Sequence, residues 1–197
     1  MINTQVVLII LVIIVICYLL YKYKLKKYLS STRVLSRIDN RYYTVRNTDK
    51  KQEAADKLAI INFKIIQLIH SLSNDDNSSY KENIGLLNTR YDPDSLCENI
   101  DQSDTSFTIN KGESIHFCLT TRDDESNIYD NNIMLFVAIH ELAHIGCHSV
   151  GHTPEFNKFF QYILSHAVEL GIYKYQNYYK KNEEYCGINI NSTPLVQ

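Results

Sequence analysis

Residues 6–21 carry no charge and are mostly Val, Ile and Leu. In a hydrocarbon environment such a run satisfies its backbone only as a helix, so it fixes the first element before any other residue is read. Its length is near the short end of the roughly 17–25 residues that span a bilayer. Lys22, Lys24, Lys26 and Lys27 follow at once, and Tyr18, Tyr21 and Tyr23 suit an interface belt. A cleaved signal peptide wants a basic start and a small-residue exit. Residues 1–5 lack charged side chains, and Cys17-Tyr18-Leu19-Leu20 offers no such exit. A buried core helix fits poorly, because apolar residues all round leave no side for water at a chain terminus. The expectation is an uncleaved transmembrane anchor with its basic flank over residues 1–27. The lysines predict a single-pass, N-out protein with a cytosolic C-terminal domain.

Setting those four lysines aside leaves 16 basic against 22 acidic side chains. An acidic domain repels a phosphate backbone, which argues against nucleic acid as a partner. The five cysteines, at 17, 97, 118, 147 and 186, form no close redox or zinc-knuckle pair. They read as reduced thiols, in keeping with a cytosolic domain, with two bridges as the alternative in an oxidising compartment.

Residues 28–49 read as a polar linker, and 50–197 as one domain. Asp49 with Gln52 predicts a capping box opening a helix over about 50–72, with an apolar stripe from Ala54 to Leu72. Residues 73–79 read as a loop, 81–89 as a short helix, and Asp92-Pro93-Asp94 as a turn. Two strands, 105–109 and 114–119, flank Asn110-Lys111-Gly112-Glu113 as a hairpin, and 122–127 form a charged loop. Asp130 caps a helix over about 131–147. Thr153 with Pro154 opens another, to about Leu170, with Gly171 as its stop.

His140-Glu141-Leu142-Ala143-His144 lies inside the first of those two helices. Residues four apart share a helix face, so both imidazoles can bind one ion. Glu141 then stands where a general base would take a proton from water at the metal. Zinc is the expected cofactor, since imidazole suits it and hydrolysis needs no redox chemistry. A catalytic zinc wants a third protein ligand. Gly at the third and His at the sixth position after His144 would mark a metzincin. Those places hold Cys147 and Val150. Gly151 permits a turn that carries His152 back, whereas His148 sits one turn further along the same helix and points beside the ion. His152 is favoured, with Glu155 and Glu169 as outside choices and Glu169 alternatively orienting a ligand. Tyr175, Tyr178, Tyr179, Tyr185 and His116 are candidates to steady an oxyanion.

The stretch HELAHIGCHSVGHTPEF, His140 to Phe156, resembles the WLM/SprT-like zinc metallopeptidases. The longer run, with TSFTINKG before the motif and EYCGI near the C-terminus, is similar to WLM-like proteins of large DNA viruses. The resemblance covers about residues 90–194 and is most specific over 105–156. It implies an α+β, small gluzincin-like domain with the strand before the motif helix at the cleft edge. It also implies His140, His144 and His152 as ligands and Glu141 as base. The expected activity is zinc-dependent hydrolysis of peptide bonds in a protein or peptide substrate, with an extended segment added to strand 114–119. The cellular relatives cleave proteins crosslinked to DNA, a substrate that the anchor and acidic balance do not favour here. The rival reading is a non-catalytic membrane or virion-associated protein that keeps a structural zinc.

Overall fold

In the computed structural model, residues 4–75, 79–101, 104–123 and 127–195 are described. The loops expected at 73–79 and 122–127 lie partly outside the described residues. Helix α1 (Thr4–Ser30) carries the apolar run, and its large side chains from Leu8 to Tyr23 stand exposed. Residues Leu8–Leu25 are long and apolar enough to cross a membrane, and a signal sequence would share those properties.

Residues 28–49 are not a linker. They form a hairpin of β1 (Ser31–Leu35) and β2 (Tyr42–Arg46). Tyr43 and Val45 turn inward while Tyr42 is exposed, the alternation of a half-buried strand. The hairpin is docked through Asp56, which accepts from the Ser36 hydroxyl and from the Arg37 amide and guanidinium. Asp56 lies on α2 (Lys51–Ser73). Asp49 does not cap that helix. Gln52 instead donates to the Leu35 carbonyl and Asp56, so the expected capping box gives way to a tertiary contact.

Helix α3 (Lys81–Arg90) and a 3-10 turn (Pro93–Ser95), capped by Asp92, lead to β3 (Leu96–Glu98). The predicted hairpin follows as β4 (Phe107–Ile109) and β5 (Ser114–Phe117). The five-stranded sheet runs β1-β2-β3-β5-β4, with β3 parallel to both neighbours. Strand 114–119 is therefore interior, and β4 is the terminal strand. The parallel step between β2 and β3 is tied by Arg46, whose amide and Nε both donate to the buried Glu98. The sheet's inner face, with Val45, Leu96, Ile115 and Phe117, shares one core with α2, α4 (Asn131–Gly146) and α5 (Pro154–Glu169). The chain ends in a second sheet, the hairpin β6 (Glu183–Tyr185) and β7 (Ile188–Ile190). The domain is thus mixed α+β.

Cys118 and Cys186 form a disulfide, with Cα atoms 6.4 Å apart across 68 residues of sequence. The reading of all four domain cysteines as reduced thiols is overturned for this pair. The chain brings the end of β5 and the turn after β6 into bonding range, which spacing alone does not reveal. Cys97 and Cys147 are not disulfide-bonded, nor is Cys17 on α1.

Candidate metal centre

Helix α4 is apolar nearly all round and crosses the core. It begins where the Asp130 carboxylate accepts from the Asn132 and Ile133 amides. Its far end would expose carbonyls in a buried setting. Lys111 donates to the His144 carbonyl, Arg90 to those of Ile145 and Cys147, and Asn83 to that of Gly146. The hairpin turn delivers Lys111: Asn110 and Lys111 have φ of 44° and 59°, and Gly112 has φ 116°. A side chain at 112 would strike the Arg90 carbonyl, so glycine is required there. At Gly146 a methyl would run into the Phe159 ring and Leu87, so this glycine lets α5 close onto α4.

Beyond α4 the chain reverses. Glu155, in the first turn of α5, accepts from the His148 amide at 3.0 Å, the Ser149 amide at 3.0 Å and the Asn83 side chain at 3.2 Å. Hydrogen bonding from Ser149, with His148 and Asn83, outweighs desolvation and pushes the Glu155 carboxyl down to about 2. Thr153 caps α5 by accepting from the Phe156 amide. This clamped turn returns His152 to the motif, its Nε2 3.1 Å from Nε2 of His140.

Ligand nitrogens of His140, His144 and His152 lie within 4.8 Å of one another. A tetrahedral site with Zn–N bonds of about 2.0–2.1 Å separates its nitrogens by roughly 3.3 Å, close to the His140–His152 spacing. Burial, with the neighbouring His144 and His152, pushes His140 down to about 3. Burial, with His152 and Lys111, pushes His144 down to about 4. Both therefore present neutral lone pairs at neutral pH. The Phe156 ring stacks on His144 at 4.3 Å, and His140 meets Phe160 edge-on at 5.2 Å, so α5 fixes the imidazole planes. These residues fit a metal ion.

Glu141 is 5 % exposed, and Oε2 accepts from the Thr108 hydroxyl of β4 at 2.8 Å. Burial raises its carboxyl to about 7, opposed by the Thr108 hydrogen bond. The other residues singled out lie elsewhere. His148 is exposed and pairs with Glu82 at 2.9 Å. Glu155 is the turn clamp, and Glu169 is exposed beside His166. Tyr178 is buried against Phe136, and Tyr175 lies outside the cleft beside Leu195. His116 stacks on Phe107 and meets Cys97 and Ser114 on the sheet. Tyr185 reaches the cleft wall, but its hydroxyl donates to the Cys118 carbonyl and meets Ser106. Tyr179 is exposed at the cleft rim. Sequence reasoning missed Thr108, Lys111 and the capping side chains Asn83 and Arg90. The TSFTINKG string contained the first two, with no local signal of their partners.

No protein-family model matches the chain, and no solved structure matches it. Among known sequences, the uncharacterized protein R325 of Acanthamoeba polyphaga mimivirus is 35% identical over 196 residues, covering 98% of this chain and 99% of that protein. The uncharacterized protein 136R of Invertebrate iridescent virus 6 is 42% identical over 82 residues, 41% of this chain and 44% of that protein. The uncharacterized protein 042R of Invertebrate iridescent virus 3 is 42% identical over 84 residues, 42% of this chain and 50% of that protein. The chain belongs to the family of the mimivirus protein R325.

Proposed function

We propose that the protein is a membrane-anchored zinc peptidase of the WLM/SprT-like, gluzincin-like kind. The observation that carries this reading is a cluster of three imidazoles, two of which, His140 and His152, line a cleft together with the buried Glu141 carboxylate. His140, His144 and His152 would hold the ion. Zinc bound there supplies Lewis-acid polarisation of a carbonyl and lowers the pKa of water to about 7. Glu141 accepts the proton of the attacking water and returns it to the leaving amine. Its carboxyl, at about 7 without metal, falls when a cation stands beside it, so the base is ionised at neutral pH. The Thr108 hydroxyl fixes the Glu141 rotamer from β4.

An extended substrate would add to β4, the terminal strand, rather than to 114–119. A structural zinc closes its fourth position with a protein ligand. Among the described residues the metal-capable cluster has three members, and the cleft beside it is lined by His140, Glu141 and His152. That favours catalysis over the structural reading. The anchor is α1, and a cytosolic domain now rests on the lysines alone, since the disulfide speaks for an oxidising compartment. The test is peptide hydrolysis by the zinc-loaded full chain beside Glu141→Gln. The variant keeps its zinc and loses hydrolysis. Equal rates would refute the assignment of the base.

A further inference from the structure

The five-stranded sheet carries a second cluster of reactive side chains on its outer face. Leu96, Ile115 and Phe117 belong to the core, so strand alternation turns Cys97, Ser114 and His116 away from it. The register sets Thr44, Cys97, His116 and Phe107 opposite one another, in a row across β2, β3, β5 and β4. Thr108, the next residue on β4, faces the other way and holds Glu141. The row therefore lies behind the metal centre and shares no side chain with it.

Within the row, Cys97 Sγ lies 3.2 Å from Nδ1 of His116, and the ring's Nε2 lies 3.0 Å from the Ser114 hydroxyl. Phe107 stacks on the imidazole at 4.7 Å with the planes 12° apart, which fixes the ring and screens one side of it from water. Cys97, His116 and Phe107 are each half-buried. A tetrahedral zinc would hold a thiolate sulfur and an imidazole nitrogen about 3.5 Å apart and would need two more ligands. The shorter spacing here suits a proton between the two atoms. The Ile115 carbonyl, 3.7 Å from the same sulfur, accepts a hydrogen bond but cannot take the proton. The imidazole can, and the ion pair that results gains strength where water is partly excluded. Nε2–H of the imidazolium then donates to the Ser114 hydroxyl.

We propose that Cys97 is a nucleophilic thiol, activated by His116, that forms a mixed disulfide with a small-molecule disulfide. His116 holds the proton given up by the thiol. The thiolate attacks one sulfur of the small disulfide, whose S–S bond breaks as the bond to Cys97 forms. The departing thiolate takes the proton from His116, so the exchange balances without a further oxidant. Ser114 and Phe107 position the imidazole and do not touch the reagent. Cys147 is the contrast within the same chain: burial pushes its thiol up to about 11, which leaves it inert at neutral pH. The proposal is independent of the peptidase reading.

The test uses the full chain in detergent micelles without reductant, with glutathione disulfide as the probe and peptide mass mapping to locate adducts. At about pH 6 an ordinary thiol is less than about 1 % thiolate, whereas an ion-paired one is mostly ionised. After allowance for the weaker nucleophilicity of a stabilised thiolate, Cys97 is expected to react about tenfold faster in wild type than in His116→Gln. Ser114→Ala should slow it by a smaller factor, and Cys147 should stay unmodified. A second measurement does not depend on access of the probe. The ultraviolet difference between wild type and Cys97→Ser should show a thiolate at that pH, and His116→Gln should lose it, a signature that a neutral packing contact would not give. Equal rates in wild type and His116→Gln, no thiolate absorbance, or adducts on Cys118 or Cys186 in place of Cys97 would overturn the proposal.

Discussion

Replacing Glu155 should weaken zinc binding although this carboxylate does not touch the metal. It accepts three hydrogen bonds from His148, Ser149 and Asn83, and these hold the turn that returns His152 to His140. A shielded hydrogen bond to a charged group contributes about 1.5–3 kcal/mol. Glu155 is only partly buried, so solvent screening reduces the three together to about 2 kcal/mol. If that sum keeps the turn ordered before metal arrives, its loss lowers zinc affinity by about 30-fold in Glu155→Ala. Glu155→Gln keeps one acceptor oxygen and should lose about fivefold by the same arithmetic. The assay is competition for zinc against a chromophoric chelator, with the full chain in detergent. His148→Ala is the control, because its ring faces Glu82 at the surface. Wild-type zinc affinity in Glu155→Ala would refute the reasoning, since His152 would then reach the metal without the clamp.

Three further outcomes are expected. Cys118→Ser opens a loop closed across 68 residues and should destabilise the domain by about 4 kcal/mol on the chain-entropy account, read by denaturant unfolding with and without reductant. An equal midpoint in both would show that the bond is not formed. In the metal-free protein the two histidines at about 3 and 4 bind fewer protons folded than unfolded below pH 6.5, so stability falls as pH drops from 6.5 toward 4. Glu141, raised to about 7, acts oppositely, and its contribution is lost as pH rises from 4.5 through 7. Denaturant midpoints of chelator-treated wild type should therefore rise from pH 5 to 6.5, and rise more steeply in Glu141→Gln. Protease digestion of sealed membranes tests the orientation: the lysines predict a C-terminal domain accessible from the cytosolic side, and its protection would agree with the disulfide and reverse the orientation.

Much of the helical frame is legible in the residues themselves. Asp130 and Thr153 cap the two helices that carry the site, and both caps form as their side chains dictate. The His140 and His144 pair follows from helical spacing alone. His152 is legible because Gly151, with φ 81°, permits the reversal. What stays hidden is tertiary. In β2 the inward Tyr43 and Val45 alternate with Tyr42, Thr44 and Arg46, but flanking arginines disguise a strand whose polar groups find partners on α2 and β3, the Tyr43 hydroxyl with Asn62 and the Arg46 amide with Glu98. Strand β3 has three residues, too few for any period to register. The β6–β7 turn uses Cys186 and Gly187 at positive φ, where Asn-Gly would have announced it. The Cys118–Cys186 bond joins elements whose proximity depends on the whole sheet.

The central claim is that His140, His144 and His152 together hold one catalytic zinc. Equilibrium zinc titration of wild type, His152→Ala and His148→Ala, with elemental analysis of each, tests it most directly. The account predicts one zinc per chain in wild type and in His148→Ala, at matching affinity. His152→Ala should bind weaker by on the order of 100-fold or more. Full affinity in His152→Ala alongside its loss in His148→Ala would contradict it, as would wild-type protein free of zinc after purification in zinc-supplemented, chelator-free buffer.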